Sequence, residues 1–377
     1  MIDIIDGNMA AVHGAVLSRV QSVPCFPITP ATEIIETLAE WNRSGKWNGQ
    51  YRLMESEHAV MAAAIASEMT GARTFTASSS QGLELMHELL PIASGTRSPL
   101  VMAAVCRGIS APITLWADHS DFLSTRDFGW LMFSCATNQE VVDTIPIAYK
   151  VSENSDVLLP SMVGMDGFVH SYTRSEVDIP DQKDVDRFLP RLDLKVRIDV
   201  NRPVSLGVPA TEEYSYFRVQ VHKAQLNALD VIHGAQREWE KRFGRRYGLV
   251  QGAHLEDADV VAVCMGANSA NIKSAVEELR RRGKKAGFLR LRVIRPWPLK
   301  EIRHALAGAG KILVIDQNLA PGIGGMLYPE VRSCLAGDVT VSNFVAGLGG
   351  KPVRQSEYTG MISDALQAKE PFRRFLL

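Results

Sequence analysis

Apolar runs of strand length alternate with amphipathic stretches along this chain, and the alternation predicts its elements. From Val60 to Met69 nearly every residue is Ala, Val, Ile or Met, too apolar for a solvent-facing helix and suited to one packed on both sides. Gly71 offers a left-handed stop. Thr74–Ala77 has the β-branched and aromatic content of a short strand, and a polar turn through Gly82 leads to a second helix over Leu83–Ser94. Pro99–Cys106 is a continuous apolar run, the pattern of a buried parallel strand. A helix over Gln139–Glu153 and a strand over Val157–Met165 follow. Upstream, residues 1–24 hold an amphipathic helix with small residues on one side, and Thr32 caps the helix carrying Ile34, Ile35 and Leu38. The order βαβαβαβ predicts an α/β fold with a doubly wound parallel sheet.

Periodicity fades over residues 175–212, which read as a surface connection. Residues 213–247 form a charged amphipathic helix whose end is expected on the outside. A smaller α/β unit begins near Ala258. Its strands are ADVVAVCMGAN, AGFLRLRVI, KILVID and VTVSNFVAGL, with helices over Ser269–Arg282 and Lys300–Leu306. Two domains are expected, 1–250 and 251–377. The Gly322–Gly325 loop lacks both the dinucleotide fingerprint and a Walker lysine, so it reads as a tight start to a helix.

Composition narrows the function. The 377 residues are 46% hydrophobic and 22% charged, with a formal net charge of −1. That is a globular composition with a substantial core, and it gives no electrostatic case for nucleic acid or an anionic membrane surface. No apolar run reaches membrane-spanning length and no leader pattern opens the chain, so a cytoplasmic location is expected. The five cysteines are scattered and form no C-x-x-C pair; buried free thiols are expected, and no metal site within the chain.

Three residues carry candidate chemistry. Glu57 stands at the mouth of the apolar helix, either as a helix-start acid favoured by the dipole or as a buried carboxylate aimed at a ligand. Thr29 sits between Pro27 and Pro30 at a strand end, serving the turn or a ligand. Arg107 ends the apolar Pro99–Cys106 run ahead of a long polar and aromatic loop. Its fork suits two-point binding of a carboxylate, or an internal salt bridge to Asp118 or Asp121. All three lie near strand-to-helix connections, where open α/β sheets bind ligands.

The segments CFPITP, SEHAVMAA, TFTASSSQGLELMHE, CRGISAP, WADHSD, RDFGW, NQEVVDT, DGFVHS, RPWP and DQNLAPGIGG, in this order, resemble the α subunit of pyruvate:ferredoxin oxidoreductase (pyruvate synthase), of the 2-oxoacid:acceptor oxidoreductase family. The resemblance covers nearly the whole chain. It implies a thiamine diphosphate pyrimidine-type domain followed by a transketolase C-terminal-like domain. It also implies oxidative decarboxylation of a 2-oxoacid, pyruvate first, to acyl-CoA and CO2. Glu57 becomes the acid that pairs with the pyrimidine, Thr29 a neighbour of the substrate and Arg107 its carboxylate clamp. Cofactor contacts fall to Glu57, Pro27, Ile28, Ser80 and Gln81. A GDG diphosphate–magnesium motif and cluster cysteines are missing from the sequence. The resemblance therefore implies a β partner supplying the diphosphate and Mg2+ site, and γ and ferredoxin-like δ subunits holding iron–sulfur clusters. Ferredoxin, or NAD through a flavin subunit, would accept the electrons. Phe26 stands where many relatives have Tyr, and Gly108-Ile109 where many have Ala-Leu. The lost methyl at Gly108 either widens the pocket for larger acyl groups such as aryl ones or is neutral drift. A non-catalytic scaffold and a thiamine carboligase without a redox step are the remaining readings.

Overall fold

The protein is described by a computed structural model covering residues 1–204 and 211–377. The first elements are β1 (Ile2–Ile5), α1 (Gly7–Leu17), β2 (Ser22–Cys25), α2 (Thr32–Arg43), β3 (Gln50–Leu53) and α3 (Glu57–Met69). Next come β4 (Phe75–Ser78), α4 (Gln81–Met86), α5 (Leu90–Gly95), β5 (Val101–Cys106), α6 (Ser120–Ser124), β6 (Leu131–Ser134), α7 (Asn138–Ser152) and β7 (Ser161–Asp166). Strands β4, β5, β7 and β6 lie side by side and parallel, and a bridge from Ser22 to Thr74 continues the sheet into the parallel pair β2–β3. β5 and β7 are buried along their whole length, as the unbroken apolar run of β5 requires.

Several elements differ from the sequence pattern. α1 is buried nearly all round rather than on one face. Its small residues allow this: a β-carbon on Gly14 would sit 3.0 Å from Ile145 Cβ of α7. α3 is packed on one side only, and Ala62 and Ala66 remain exposed. The helix expected over Leu83–Ser94 is two, α4 and α5; Pro91, at the head of α5, has no N–H with which to continue the first. Within the long loop after β5 the chain forms α6 and then reaches β6, neither of which the polar pattern revealed.

The expected surface connection contains β8 (Ser175–Asp178), paired antiparallel with β1, and α8 (Gln182–Phe188), which buries Val185 and Phe188. Residues 205–210 of that connection lie outside the described residues. α9 (Tyr214–Phe243) ends at left-handed Gly244, but its end is docked rather than outside. Trp239 is fully buried and meets Phe188 edge-on. Beyond the helix, Arg245 and Tyr247 both bond the buried Asp143 carboxylate, at 2.5 and 2.6 Å.

The remaining elements are β9 (Val250–Ala253), β10 (Val260–Cys264), α10 (Ser269–Arg281), β11 (Ala286–Leu291), β12 (Val293–Arg295), α11 (Leu299–Leu306), β13 (Lys311–Asp316), α12 (Leu327–Ser333), β14 (Thr340–Val345), α13 (Gln355–Gln367) and β15 (Arg373–Phe375). They build a second sheet in the order β15-β14-β13-β10-β11-β9, with one exception. β12 leaves it and pairs antiparallel with β6 at the edge of the first sheet. The run AGFLRLRVI is thus two strands in two sheets. The chain crosses at Arg292, which is buried, bonds Thr144 Oγ1 at 2.8 Å and lies over the Tyr247 ring. Two residues earlier, Arg290 grips Glu140 of α7 with bonds of 2.7 and 3.0 Å. Gly325 packs against Asp316, which accepts the Leu327 N–H, so the Gly-rich loop starts α12 tightly.

One hydrophobic cluster fills one face of the first sheet under α1, α2 and α7–α9. A second spans both sheets, from Met102, Trp130 and Met162 to Val261, Leu289, Ile302 and Val314. A third lies between the second sheet, α10 and α13. All five cysteines are buried and free. No helix among the described residues is long and apolar enough to cross a membrane.

Candidate active site at the carboxyl ends of the first sheet

Ser56 is extended, and its side-chain oxygen accepts the Ala59 N–H at 3.2 Å, capping α3. Glu57 is therefore the first residue of the helix, where exposed N–H groups favour a carboxylate. Only 8% of its surface is exposed. No described side chain donates to its carboxylate. Gly82 closes over it: a β-carbon there would lie 2.7 Å from Glu57 Oε1 and 2.4 Å from Ser78 Oγ. The hydroxyls of Ser78 and Ser79 are buried beside this contact without a partner among the described residues. Glu57 is thus at once a helix-start acid and a buried, unpaired carboxylate.

Ser80 follows with a left-handed φ of 46°, unusual for a residue with a side chain. Two bonds hold it there: its N–H donates to Asp121 Oδ2 at 2.8 Å, and its hydroxyl to the Gly108 carbonyl at 2.5 Å. Gln81 Nε2 bonds the Ser110 hydroxyl. The turn after β4 is in this way tied to the loop after β5.

Arg107 ends β5 with 5% of its surface exposed. Its Nε donates to the Thr114 carbonyl at 2.6 Å and its Nη1 to the Thr29 carbonyl at 2.9 Å. The guanidinium forms no ion pair among the described residues, so the internal salt bridge is not what this arginine makes. Asp121 instead accepts the Arg107 backbone N–H, at 3.0 Å, and Asp118 accepts from Ser120 and Gly349 N–H groups. Burial pushes the guanidinium pKa below its ordinary value, against the pull of Asp121. Thr29 is half-buried, and its hydroxyl makes no hydrogen bond among the described residues. Asn8 holds the Pro30 carbonyl at 2.9 Å, and Gly167 gives Pro30 room to approach. Of the two residues before Thr29, Pro27 is exposed and Ile28 packs on the first core cluster.

The fold thus joins Thr29, Arg107 and Ser80 by direct or shared hydrogen bonds, ties Gln81 to the same loop through Ser110, and brings Glu57 to them through Gly82 and Ser78. Sequence reasoning missed His119 and Asp166, and named Asp121 only as a salt-bridge partner for Arg107. Asp121 is fully buried, and burial pushes its pKa up to about 7 despite three N–H bonds that pull it down. His119 Nε2 meets Asp166 Oδ1 at 2.8 Å, fully enclosed. Burial disfavours both charges, yet each holds the other charged: the histidine pKa is raised and the aspartate pKa lowered. The signal for Asp121 and His119 was the density of acids and histidine in WADHSD, and Asp166 opens the segment DGFVHS.

The second domain closes this loop from above. Gln317 accepts the His119 N–H through its carbonyl at 2.8 Å, Ala267 N–H reaches Asp166 Oδ2 at 3.2 Å, and a β-carbon on Gly350 would strike Trp116. Gly108 faces Thr114 and not a widened pocket: a β-carbon there would sit 2.4 Å from Thr114 Cγ2. The missing methyl lets the loop fold back on Arg107.

Residues 9–237 match the family model described as pyruvate flavodoxin/ferredoxin oxidoreductase, thiamine diP-binding, and residues 258–358 match pyruvate:ferredoxin oxidoreductase core domain II. The pyruvate synthase subunit PorA of Methanothermobacter thermautotrophicus is 42% identical, over 94% of this chain and 92% of its own. The ketoisovalerate oxidoreductase subunit VorA of Pyrococcus abyssi is 40% identical, over 96% and 92%. Among solved structures, the 2-oxoglutarate:ferredoxin oxidoreductase of Magnetococcus marinus superposes with a TM-score of 0.77 at 18% identity, over 97% of this chain and 65% of that one. The chain belongs to the pyruvate flavodoxin/ferredoxin oxidoreductase family, with its thiamine diphosphate-binding domain first and core domain II after it.

Proposed function

We propose that this chain is the α subunit of a CoA-acylating 2-oxoacid oxidoreductase, that it shares thiamine diphosphate with a β partner, and that pyruvate is its substrate. The observation that carries the reading is the buried Glu57 carboxylate, unpaired among the described residues, in a site that also holds an arginine without an ion pair among them. Those residues fit the cofactor. Glu57 would take the protonated ring nitrogen of the pyrimidine, and the Ser78 and Ser79 hydroxyls are buried polar atoms in want of a partner. When bound, the cofactor supplies the electron sink for decarboxylation.

The chain's own residues do the rest. Glu57 offers its carboxylate as an acceptor in a place where water is largely excluded. Arg107 has five guanidinium N–H groups; the bonds to Thr114 and Thr29 use two and leave three for a substrate carboxylate. Burial strengthens that contact by removing competing water. Pro27, Ile28, Ser80 and Gln81 shape the walls on either side. Mg2+ and the diphosphate belong to the β partner in this reading, and iron–sulfur clusters to γ and δ partners. The exposed alanines of α3 are an uncovered face that suits such a neighbour. Coenzyme A receives the acyl group, and ferredoxin or an NAD-linked flavin subunit the electrons.

The test is co-expression with the partner subunits and an assay against pyruvate, 2-oxoisovalerate and phenylglyoxylate. Glu57→Gln should leave the complex assembled and lower decarboxylation by about a hundred- to ten-thousandfold. Activity within a few-fold of the parent would reduce Glu57 to a helix-start acid.

A further inference from the structure

Two parallel strand ends meet at one buried carboxylate. Asp121, on α6, is fully buried and has no cationic partner among the described residues. Its Oδ2 accepts the Ser80 N–H at 2.8 Å and the Arg107 N–H at 3.0 Å, while Oδ1 accepts its neighbour Phe122 N–H at 2.6 Å. Ser80 follows β4 and Arg107 follows β5, which pair in parallel. On one side of the bridge, Ser80 heads the turn that presses Gly82 onto Glu57. On the other stands the arginine with three free donors.

We infer that Asp121 is a positioning residue that sets the cofactor-facing turn and the substrate-binding arginine in register with one another. The inference rests on the roles given above to Glu57 and Arg107. A left-handed serine does not hold itself in place, and the Asp121 bond fixes its backbone. An amide cannot replace the carboxylate. With its oxygen toward Ser80 and Arg107, the NH2 group faces the Phe122 N–H; flipped, it faces the other two donors.

Protonation should act in the same way, since a carboxylic acid turns one acceptor oxygen into a donor. The groups that face Asp121 are Asp118 in its own loop, the Cys106 thiol at the end of β5, Arg107 just after it, and the His119–Asp166 pair that joins the loop to β7. Burial and Asp118 raise its pKa, and the three N–H groups oppose them, leaving it at about 7. Below that pH the register should loosen.

The experiment is steady-state kinetics of the assembled complex between pH 5.5 and 8.5. In the parent, kcat/KM for the 2-oxoacid should fall on the acid side of about pH 7, while KM for coenzyme A stays flat. Asp121→Asn should raise the 2-oxoacid KM by roughly ten- to a hundredfold and abolish the acid limb. If that variant does not assemble, Asp121→Glu replaces it, with the limb kept and the KM raised. A parent profile without the limb overturns the inference, as does an Asp121→Asn or Asp121→Glu enzyme with parental KM. A purely structural role would lower the yield of complex and leave the pH profile alone. Arg107→Lys is the control: parental kinetics in that variant would remove the substrate clamp itself, a result separate from any behaviour of Asp121.

Discussion

At the residue scale, the charges of Arg107 and Asp121 are placed by backbone groups and not by other charges. Arg107 is held by two carbonyls, so its charge stays available. Arg107→Lys removes both anchors and the fork, because a lysine offers a point charge on a flexible stem. Losing charge-assisted bonds of this kind costs roughly 1.5–3 kcal/mol. The expected result is a ten- to hundredfold lower specificity constant, similar for small and large 2-oxoacids. Gly108→Ala should now behave like it. Its methyl would displace Thr114, whose carbonyl anchors Arg107 Nε, and penalise every substrate alike. A penalty confined to bulky substrates would restore the widened pocket. Asp121 shows what such placement costs. Its folded pKa of about 7 lies above the ordinary carboxylate value of 3.8, so the stability this group contributes is present below about pH 4 and lost as pH rises through 7. The stability deficit of Asp121→Asn, set by the N–H donor its amide leaves unmatched, should therefore shrink as pH rises from 4 to 8, by a few kcal/mol at most, as read from urea midpoints. Glu57, Thr29 and Arg107 were legible because each stands at an element boundary, where a cap, a proline pair or a strand end marks it. Asp121, His119 and Asp166 were not. Their meaning arises only when a loop folds back across two strands.

At the element scale, what the pattern revealed were the strands buried on both faces, since an unbroken apolar run has few other readings. It misplaced elements whose burial comes from partners distant in sequence. α1 is small-residued because α7 lies against it. The end of α9 looks polar, yet Trp239 sits among Phe188 and Phe243. Trp239→Ala should destabilise the chain by about 3–5 kcal/mol, whereas Leu226→Ala, on the same helix and 52% exposed, should stay within about 0.5 kcal/mol. Equal denaturation midpoints for the two variants would mean that the helix end is undocked in solution. AGFLRLRVI was read as one strand because nothing in its periodicity marks a change of sheet. The two arginines are the clue in hindsight, as a fully buried strand rarely carries charges unless each finds a partner.

At the scale of the whole molecule the two sheets share one hydrophobic cluster and a buried ion pair. Separating them would expose Met102, Trp130 and Met162, and would leave Glu140 buried without Arg290. Removing one partner of such a pair typically costs 3–5 kcal/mol. Arg290→Met should show that loss in chemical denaturation, and Glu140→Gln with Arg290→Met should recover part of it. A double variant as weak as the single one would place the cost in packing and not in the orphaned charge.

The crossing at Arg292 bears on how this chain exchanges parts with its relatives. Sequence matching draws a seam near residue 258, and a recombinant joined there would look modular. It is not: whatever brings in the second unit also brings in β12, and so replaces the edge of the first sheet. A transplant would have to match a foreign Val293–Arg295 to the resident Leu131–Ser134, and foreign arginines to the resident Glu140 and Thr144. Exchange should succeed between donors that agree at those few positions, even when they disagree over most of the surface. In inheritance and in engineering alike, the smallest transferable unit here is larger than a domain.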